Sequence, residues 1–347
     1  MKKVSVIILN WNGGALMEEF LPSVVAHSPS HIAEIIVADN GSTDHSIAML
    51  REKFPEIRVI CFDKNYGFAE GYNKAIAQTD TTYIVLLNSD VEVTPDWLDA
   101  PLALLDADKS IAAVQPKILA QRDKKQFEYA GAAGGFIDIY GYPYCRGRIQ
   151  YVVEEDQGQY DTQADLLWAT GACLFVRTET YKNEGGLDAN FFAHQEEIDM
   201  CWRLRARGYR IVYTPESTVY HVGGATLHTE SPQKTFLNFR NNLLVLYKNL
   251  PENDLKHVMR VRYWLDRIAA AKFFITDNPK NAFAVTRARR DFKRLMKDYA
   301  EIRKENISKT TCMDIPEIRR KSLLYSFYIE RKRKFSELGT QTSRPHF

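Results

Sequence analysis

Four short apolar runs rich in β-branched residues recur in the first 115 residues, and polar residues follow each of them. The runs are Val4–Leu9, Ile35–Ala38, Ile57–Cys61 and Tyr83–Leu87, separated by helix-like segments near 15–27, 44–54 and 68–79. Parallel neighbours need a crossover, so strand and helix alternating at this spacing predict a doubly wound, mostly parallel Rossmann-like α/β sheet. The runs are almost wholly apolar, as strands covered by helices on both faces must be. Asn10-Trp11-Asn12 follows the first run and Asp39-Asn40-Gly41-Ser42-Thr43-Asp44 the second. Asn65-Tyr66-Gly67-Phe68-Ala69 comes shortly after the third, and Asn88-Ser89-Asp90 follows the fourth. Ligands of open α/β sheets bind outside the carboxyl ends of the strands. One such motif reads as a turn, since turns favour these residues; four together read as one shared crevice.

Each motif suits a particular chemistry. Asp90, a carboxylate at a strand end, can hold a hard divalent cation that also binds phosphate oxygens; an Asx turn before Pro95 is the alternative. Asp39 can accept from a base N–H or a ribose hydroxyl, while Ser42 or Asp44 caps the next helix and leaves it free. The loop Asn65-x-Gly67-Phe68-Ala69-x-Gly71-x-Asn73 runs into a helix whose N-terminus favours phosphate, yet it has no Gly-Lys-Ser/Thr and is not a P-loop. Glu196, Glu197 and Asp199 crowd a helix start, where one can serve as a general base or all can complement the helix dipole. Asp199 and Arg203, four apart, are placed to pair on that helix's surface. His221 is a metal ligand or a structural histidine. Trp168 with Thr170-Gly171-Ala172 offers either a stacking platform for a sugar or core packing.

The remaining chain divides by charge. Residues 1–233 carry 20 Lys+Arg against 32 Asp+Glu, net −12, and residues 234–347 carry 26 against 12, net +14, so the overall +2 conceals an acidic body and a basic tail. The body divides into 1–115 and a Gly- and aromatic-rich 116–233. A strand-like Arg210–Tyr213 ends at Pro215, and Val219-Tyr220-His221 follows. The tail predicts helices at Phe236–Leu250, about 253–276 and about 279–306, then a basic, partly disordered end from 309 to 347. Arg319-Arg320-Lys321 and Arg331–Lys334 flank apolar Leu323–Ile329, a pattern that suits either an anionic lipid surface or a solvated face. No apolar run approaches the ~18 residues of a membrane span. The five cysteines form no CxxC pair, which points to a reducing compartment. Cytoplasmic residence, or peripheral attachment at a cytosolic membrane face, is the expectation. No recognised nucleic-acid module accompanies the basic tail, so no nucleic-acid partner is expected.

The order and spacing of Val4–Asn12, Asp39–Asp44, Asn65–Asn73, Leu86–Asp90, Thr170–Ala172, Phe191–Arg203 and His221 resemble the inverting family 2 glycosyltransferases of the A-type nucleotide-sugar fold. The resemblance covers about residues 3–250. The loop at 65–73 and the stretch Phe239–Pro251 look like the rhamnosyltransferase-type branch. It implies a catalytic domain over 1–233 with a nucleotide-binding half at 1–115, an acceptor half at 116–233 and a basic helical region at 234–347. It implies transfer of rhamnose or another hexose from a dTDP- or UDP-sugar to a hydroxyl of a glycan or lipid-linked acceptor, assisted by Mg²⁺ or Mn²⁺. Donor binding would fall to Asn10, Trp11, Asn12, Asp39, Asn65, Gly67, Asn73, Asn88, Ser89 and Asp90. Metal binding would fall to Asp90 and His221, and acceptor binding to Trp168, Thr170, Gly171 and Ala172. Glu197 would be the general base, with Glu196 as the alternative. Two departures stand out: Asn88 occupies the first position of the Asp-x-Asp-type motif, and Glu197 replaces an Asp. They leave open a catalytically degenerate nucleotide-sugar-binding protein.

Overall fold

The computed structural model describes residues 2–223, 231–276 and 278–339. The first half alternates as expected: β1 (Val4–Asn10), α1 (Gly14–His27), β2 (Ala33–Asp39), α2 (Ser46–Lys53), β3 (Arg58–Cys61), α3 (Gly67–Ile76) and β4 (Tyr83–Leu87). These strands are parallel, in the order β3-β2-β1-β4. The apolar runs face both ways. Val4, Val6 and Ile8 pack with Met17 and Leu21 of α1, while Ile7 on the opposite face joins Tyr72 and Ala75 of α3.

Next come β5 (Val91–Val93), α4 (Asp99–Ala107), β6 (Ile111–Ala120), β7 (Asp123–Phe127), β8 (Gly135–Asp138), β9 (Pro143–Cys145), β10 (Arg148–Ile149) and β11 (Val152–Val153). After them lie β12 (Ala164–Leu166), β13 (Cys173–Arg177), α5 (Thr178–Asn183), α6 (Glu196–Ala206) and β14 (Arg210–His221). The central sheet runs β12-β14-β6-β13-β4-β1-β2-β3. It is largely parallel, but β13 enters between β4 and β6 antiparallel to both. The strand predicted to end at Pro215 continues to His221, because Pro215 falls at a register shift between Thr214 and Thr218 where no ladder N–H is required.

Five helices and one short strand follow among the described residues: α7 (Pro232–Asn249), α8 (Glu252–Thr276), α9 (Pro279–Leu295), α10 (Ala300–Ser308), β15 (Ile318–Arg319) and the short α11 (Leu323–Tyr328). The single helix expected over 279–306 breaks at 296–299, where Tyr299 turns into the core and its hydroxyl meets Asp188. Residues 309–339 are docked, contrary to the disorder expected there. β15 extends the small sheet β11-β10-β9-β8, Leu323 and Phe327 are buried, and Arg319 donates to the Leu338 carbonyl. Residues 340–347 lie outside the described residues.

Candidate active site

Parallel register brings the ends of β1 and β2 side by side, with Asn10 opposite Asp39. Both are buried. The Asn10 amide donates to Asp39 Oδ1 at 2.9 Å and to Ser42 Oγ at 3.1 Å, and its oxygen accepts the Gly13 N–H. The Ser42 N–H donates to Asp39 Oδ2 at 3.0 Å. Asp39 is therefore not free, as the sequence suggested; both oxygens are held, each keeping a lone pair for a ligand. Asn12 takes a left-handed backbone (φ 52°), and its side chain accepts the Thr43 N–H. Trp11 stands half-exposed beside them at 45%.

The 65–73 loop departs most from expectation. Asn65 accepts from the Gly67 N–H and the Asn40 amide, closing the turn before α3. The α3 N-terminus, offered by sequence to a phosphate, receives the Phe192 carbonyl instead, bonded by Phe68 N–H at 2.6 Å. Gly67 (φ +80°) admits this contact, since a Cβ there would lie 2.6 Å from the Phe192 ring. Asn73, expected to bind donor, uses its amide on the Leu187 backbone and the Tyr181 hydroxyl.

Asn88, Ser89 and Asp90 follow β4, and β14 carries His221 to them. Asp90 Oδ1 lies 3.1 Å from His221 Nε2, and the Asn88 amide lies 3.4 Å from the same nitrogen. Glu128, which the sequence reading missed, lies 3.4 Å from His221 Nδ1, an ion-pair contact longer than a good hydrogen bond. The Ala130 N–H holds Glu128 in place. Burial disfavours the His221 charge, yet Glu128 and Asp90 push the imidazole up to about 10. Burial also opposes the Asp90 charge, but the His221 hydrogen bond outweighs it and holds the carboxylate below its ordinary range. As it stands His221 is an imidazolium paired with Asp90 and Glu128, and it would have to lose its proton before its nitrogen could join Asp90 in holding Mg²⁺ or Mn²⁺. Among the described residues no group of three His, Cys, Asp or Glu could hold a metal, so phosphate oxygens and water would complete the shell.

The residues expected at the acceptor are structural here. Trp168 is only 3% exposed and its indole N–H donates to the Phe136 carbonyl, so it is core and not an open stacking face. Thr170 is buried, with its N–H on Gln115. Gly171 abuts the Phe68 ring, and the Ala172 carbonyl accepts the Asn88 N–H. The 170–172 stretch thus sets the positions of Asn88 and Phe68.

Glu196 and Glu197 open α6 after a strained loop. Phe192, His194 and Gln195 all have left-handed backbones (φ 65°, 70° and 74°), each costing about 1–3 kcal/mol. The loop is held from α7. The Asn241 amide donates to the carbonyls of Phe191, Ala193 and His194 at 2.8–3.0 Å, and the Asn242 amide reaches Gln195 Oε1 at 3.0 Å. Against this support, Glu196 Oε2, Glu197 Oε2 and His194 Nε2 are buried with no hydrogen-bond partner among the described residues. Burial is the first cause that raises both carboxyls, reinforced for Glu196 by Glu197, and Glu197 is pushed up to about 7. Glu196 is fully buried, whereas Glu197 is partly open. Asp199 does not pair with Arg203 at the surface. It is fully buried, held by Arg203, Lys248 and Asn249, and anchors α6. Asn241 and Lys248, like Asn242 and Asn249, stand seven residues apart on either side of the apolar run Leu243–Tyr247, and that spacing was the available sign that α7 supports the loop before α6.

Residues 5–158 match the model of Glycosyl transferase family 2. The N-acetylglucosaminyl-diphospho-decaprenol L-rhamnosyltransferase of Mycobacterium tuberculosis H37Rv is 25% identical over 234 residues, covering 62% of this chain and 75% of its own. Rhamnosyltransferase WbbL of Escherichia coli K12 is 24% identical over 163 residues, covering 45% and 61%. Among solved structures, GalNAc-T7 with UDP, GalNAc and Mn²⁺ aligns with TM-score 0.59 at 14% identity, over 87% of this chain and 57% of that one. S. aureus TarS 1-349 in complex with UDP-GlcNAc aligns with TM-score 0.56 at 16% identity, over 89% of each. Over residues 5–158 the chain is thus similar to family 2 glycosyltransferases, these two relatives are rhamnosyltransferases, and the solved structures share its fold.

Proposed function

We propose that the chain inverts configuration while transferring rhamnose or another hexose from a dTDP- or UDP-sugar to a hydroxyl of a glycan or lipid-linked acceptor. The names of the relatives support this class of reaction within cell-surface polysaccharide synthesis. The observation that carries it is the pair of buried carboxyls at the start of α6, each with one oxygen lacking a hydrogen-bond partner among the described residues, on a loop that touches the 67–69 turn. Asp39, with Trp11 and Asn12 beside it, receives the nucleoside. Asn88, Ser89 and Asp90 face the diphosphate. Asp90 and His221 would hold Mg²⁺ or Mn²⁺, and a bound divalent cation supplies positive charge against the leaving diphosphate.

Glu197 takes the proton of the acceptor hydroxyl. The hydroxyl oxygen bonds to the anomeric carbon as the bond from that carbon to the diphosphate oxygen breaks on the opposite face. One such displacement inverts the centre. Glu196, deeper and still protonated, restricts the charge of the pair to Glu197. Residues 1–233 carry the reacting groups, and the helices from 234 onward support them. Among the described residues no helix is long and apolar enough to cross a membrane, which fits peripheral attachment at a cytosolic face. Replacing Glu197 by Gln should abolish transfer while calorimetry still detects donor; unchanged turnover would overturn the assignment.

A further inference from the structure

Helix α8 is amphipathic the wrong way round for a helix on a water-exposed surface. Its inward stripe carries an ion pair beside apolar Leu255, Val258 and Met259. Val258, Arg262 and Asp266 are its buried residues, with Arg262 on Asp266, on the Tyr140 carbonyl and on Asn242, and Arg289 closing on Asp266 from α9. Its outward stripe is apolar: Trp264 is 60% exposed, Ile268 65%, Phe274 59% and Ile275 79%. Trp264, Ile268 and Ile275 stand four and seven residues apart, on one face of the helix. Scattered exposed apolar residues need no explanation, but a continuous stripe of this size does.

The stripe extends beyond α8. Lys272 lies 5.8 Å from the Tyr328 ring of α11, whose neighbour Ile329 is 65% exposed. Along the outward face of α8 between Asp254 and Asp277 the exposed charge has one sign, and Glu330 beside Ile329 is taken up by Lys321. Arg260, Arg267 and Lys272 are exposed and have no carboxylate partner among the described residues. From 255 to 276 the only acidic residue is Asp266, which is buried and already paired. A second copy of the chain fits poorly, because a two-fold contact would set these cations against themselves. A surface that takes up Trp, Ile and Phe side chains and supplies negative charge fits well.

We propose that the outward face of α8, continued onto α11, is the surface by which this protein adsorbs to anionic lipid headgroups. The proposal deepens the lipid-linked-acceptor reading and rests on it for its purpose. It also relocates the contact that the sequence placed at Leu323–Ile329, because Leu323 and Phe327 turn inward. The opposite side of the same helix grips Asn242, which bonds Gln195 next to Glu196. One helix layer therefore separates the proposed lipid contact from the support of the catalytic loop.

The test is flotation of the full chain with vesicles of equal phosphatidylglycerol and phosphatidylethanolamine, against vesicles of phosphatidylcholine. Binding should occur only with the anionic vesicles and weaken with salt. The triple variant Arg260→Glu, Arg267→Glu, Lys272→Glu should lose more than about tenfold of the partitioning. Trp264→Ser with Ile268→Ser should lose a similar factor, at an unchanged melting temperature. Wild-type chain that stays with the soluble fraction, or variants that float equally well, would overturn the proposal. So would a concentration-dependent dimer in light scattering that the same substitutions dissolve, since a second copy would then cover the face. Turnover on a water-soluble acceptor is measured beside it. If that turnover survives Glu197→Gln while flotation stands, the catalytic reading fails and the lipid surface does not.

Discussion

The Asp39 corner and the Glu196–Glu197 corner treat their carboxylates oppositely. Asp39 has both oxygens held, one by Asn10 of the adjacent strand and one by Ser42 three residues on. Glu196 and Glu197 each keep a buried oxygen without a partner among the described residues, after a loop fixed from a helix some 45 residues further on. A satisfied carboxylate keeps its shape and suits recognition. An unsatisfied one keeps its desolvation cost and with it a raised proton affinity, as a base that works near neutral pH requires.

The largest effect should come from breaking the second corner. Glu197→Gln should lower kcat by about 10²–10⁴-fold with donor affinity preserved, whereas Glu196→Gln should cost far less; the reverse ranking would move the base to Glu196. The pH profile sharpens the same point. Glu197 must lose its proton to act, so kcat/KM should fall as pH drops below about 7. Stability runs the other way. A carboxyl raised on folding from 4.5 to about 7 contributes fully below its unfolded value and loses that contribution as pH rises through the folded one. Glu197→Gln should therefore raise the melting temperature more at about pH 8 than at about pH 5.

Next in size is the metal corner. Asp90→Ala should remove metal-dependent donor binding in calorimetry. Glu128→Gln should weaken Mn²⁺ affinity by about 10–100-fold, because Glu128 faces His221 Nδ1 and leaves Nε2 to the cation. Asn241→Ala should leave three loop carbonyls without their donor and cost about 2–3 kcal/mol in denaturant unfolding, with kcat falling alongside. Asn10→Ala should be the mildest, about 1–2 kcal/mol with weaker nucleoside binding, since Ser42 still holds Asp39.

What could be read in advance follows from how far each feature reaches along the chain. β1–β4, Asp39, Asp90 and Glu197 were legible because strand ends and helix starts are local, and their position relative to the sheet follows from topology. The Phe192 carbonyl on the α3 N-terminus was not, because that acceptor comes from about 125 residues away. Trp168 showed only its size in the sequence; that its face is covered depends on β8 packing over it. Asp199 and Arg203 were paired correctly by spacing, yet their burial required Lys248 from α7. The reversed sidedness of α8 was hidden because a helical period does not say which stripe faces the protein.

The Lys248 ammonium sits between Asp188 and Asp199, 2.6 and 2.7 Å away, with almost no access to water. It belongs to the basic tail, and both carboxylates belong to the acidic body. A fragment ending at residue 233 would leave Asp199 with Arg203 alone, Asp188 without its ammonium, and the 192–195 loop without Asn241. The tail is thus not a module that evolution or an engineer can exchange freely between relatives. Any graft would have to bring along an ammonium and two amides at the same seven-residue spacing, or leave the body unable to close around its own charge.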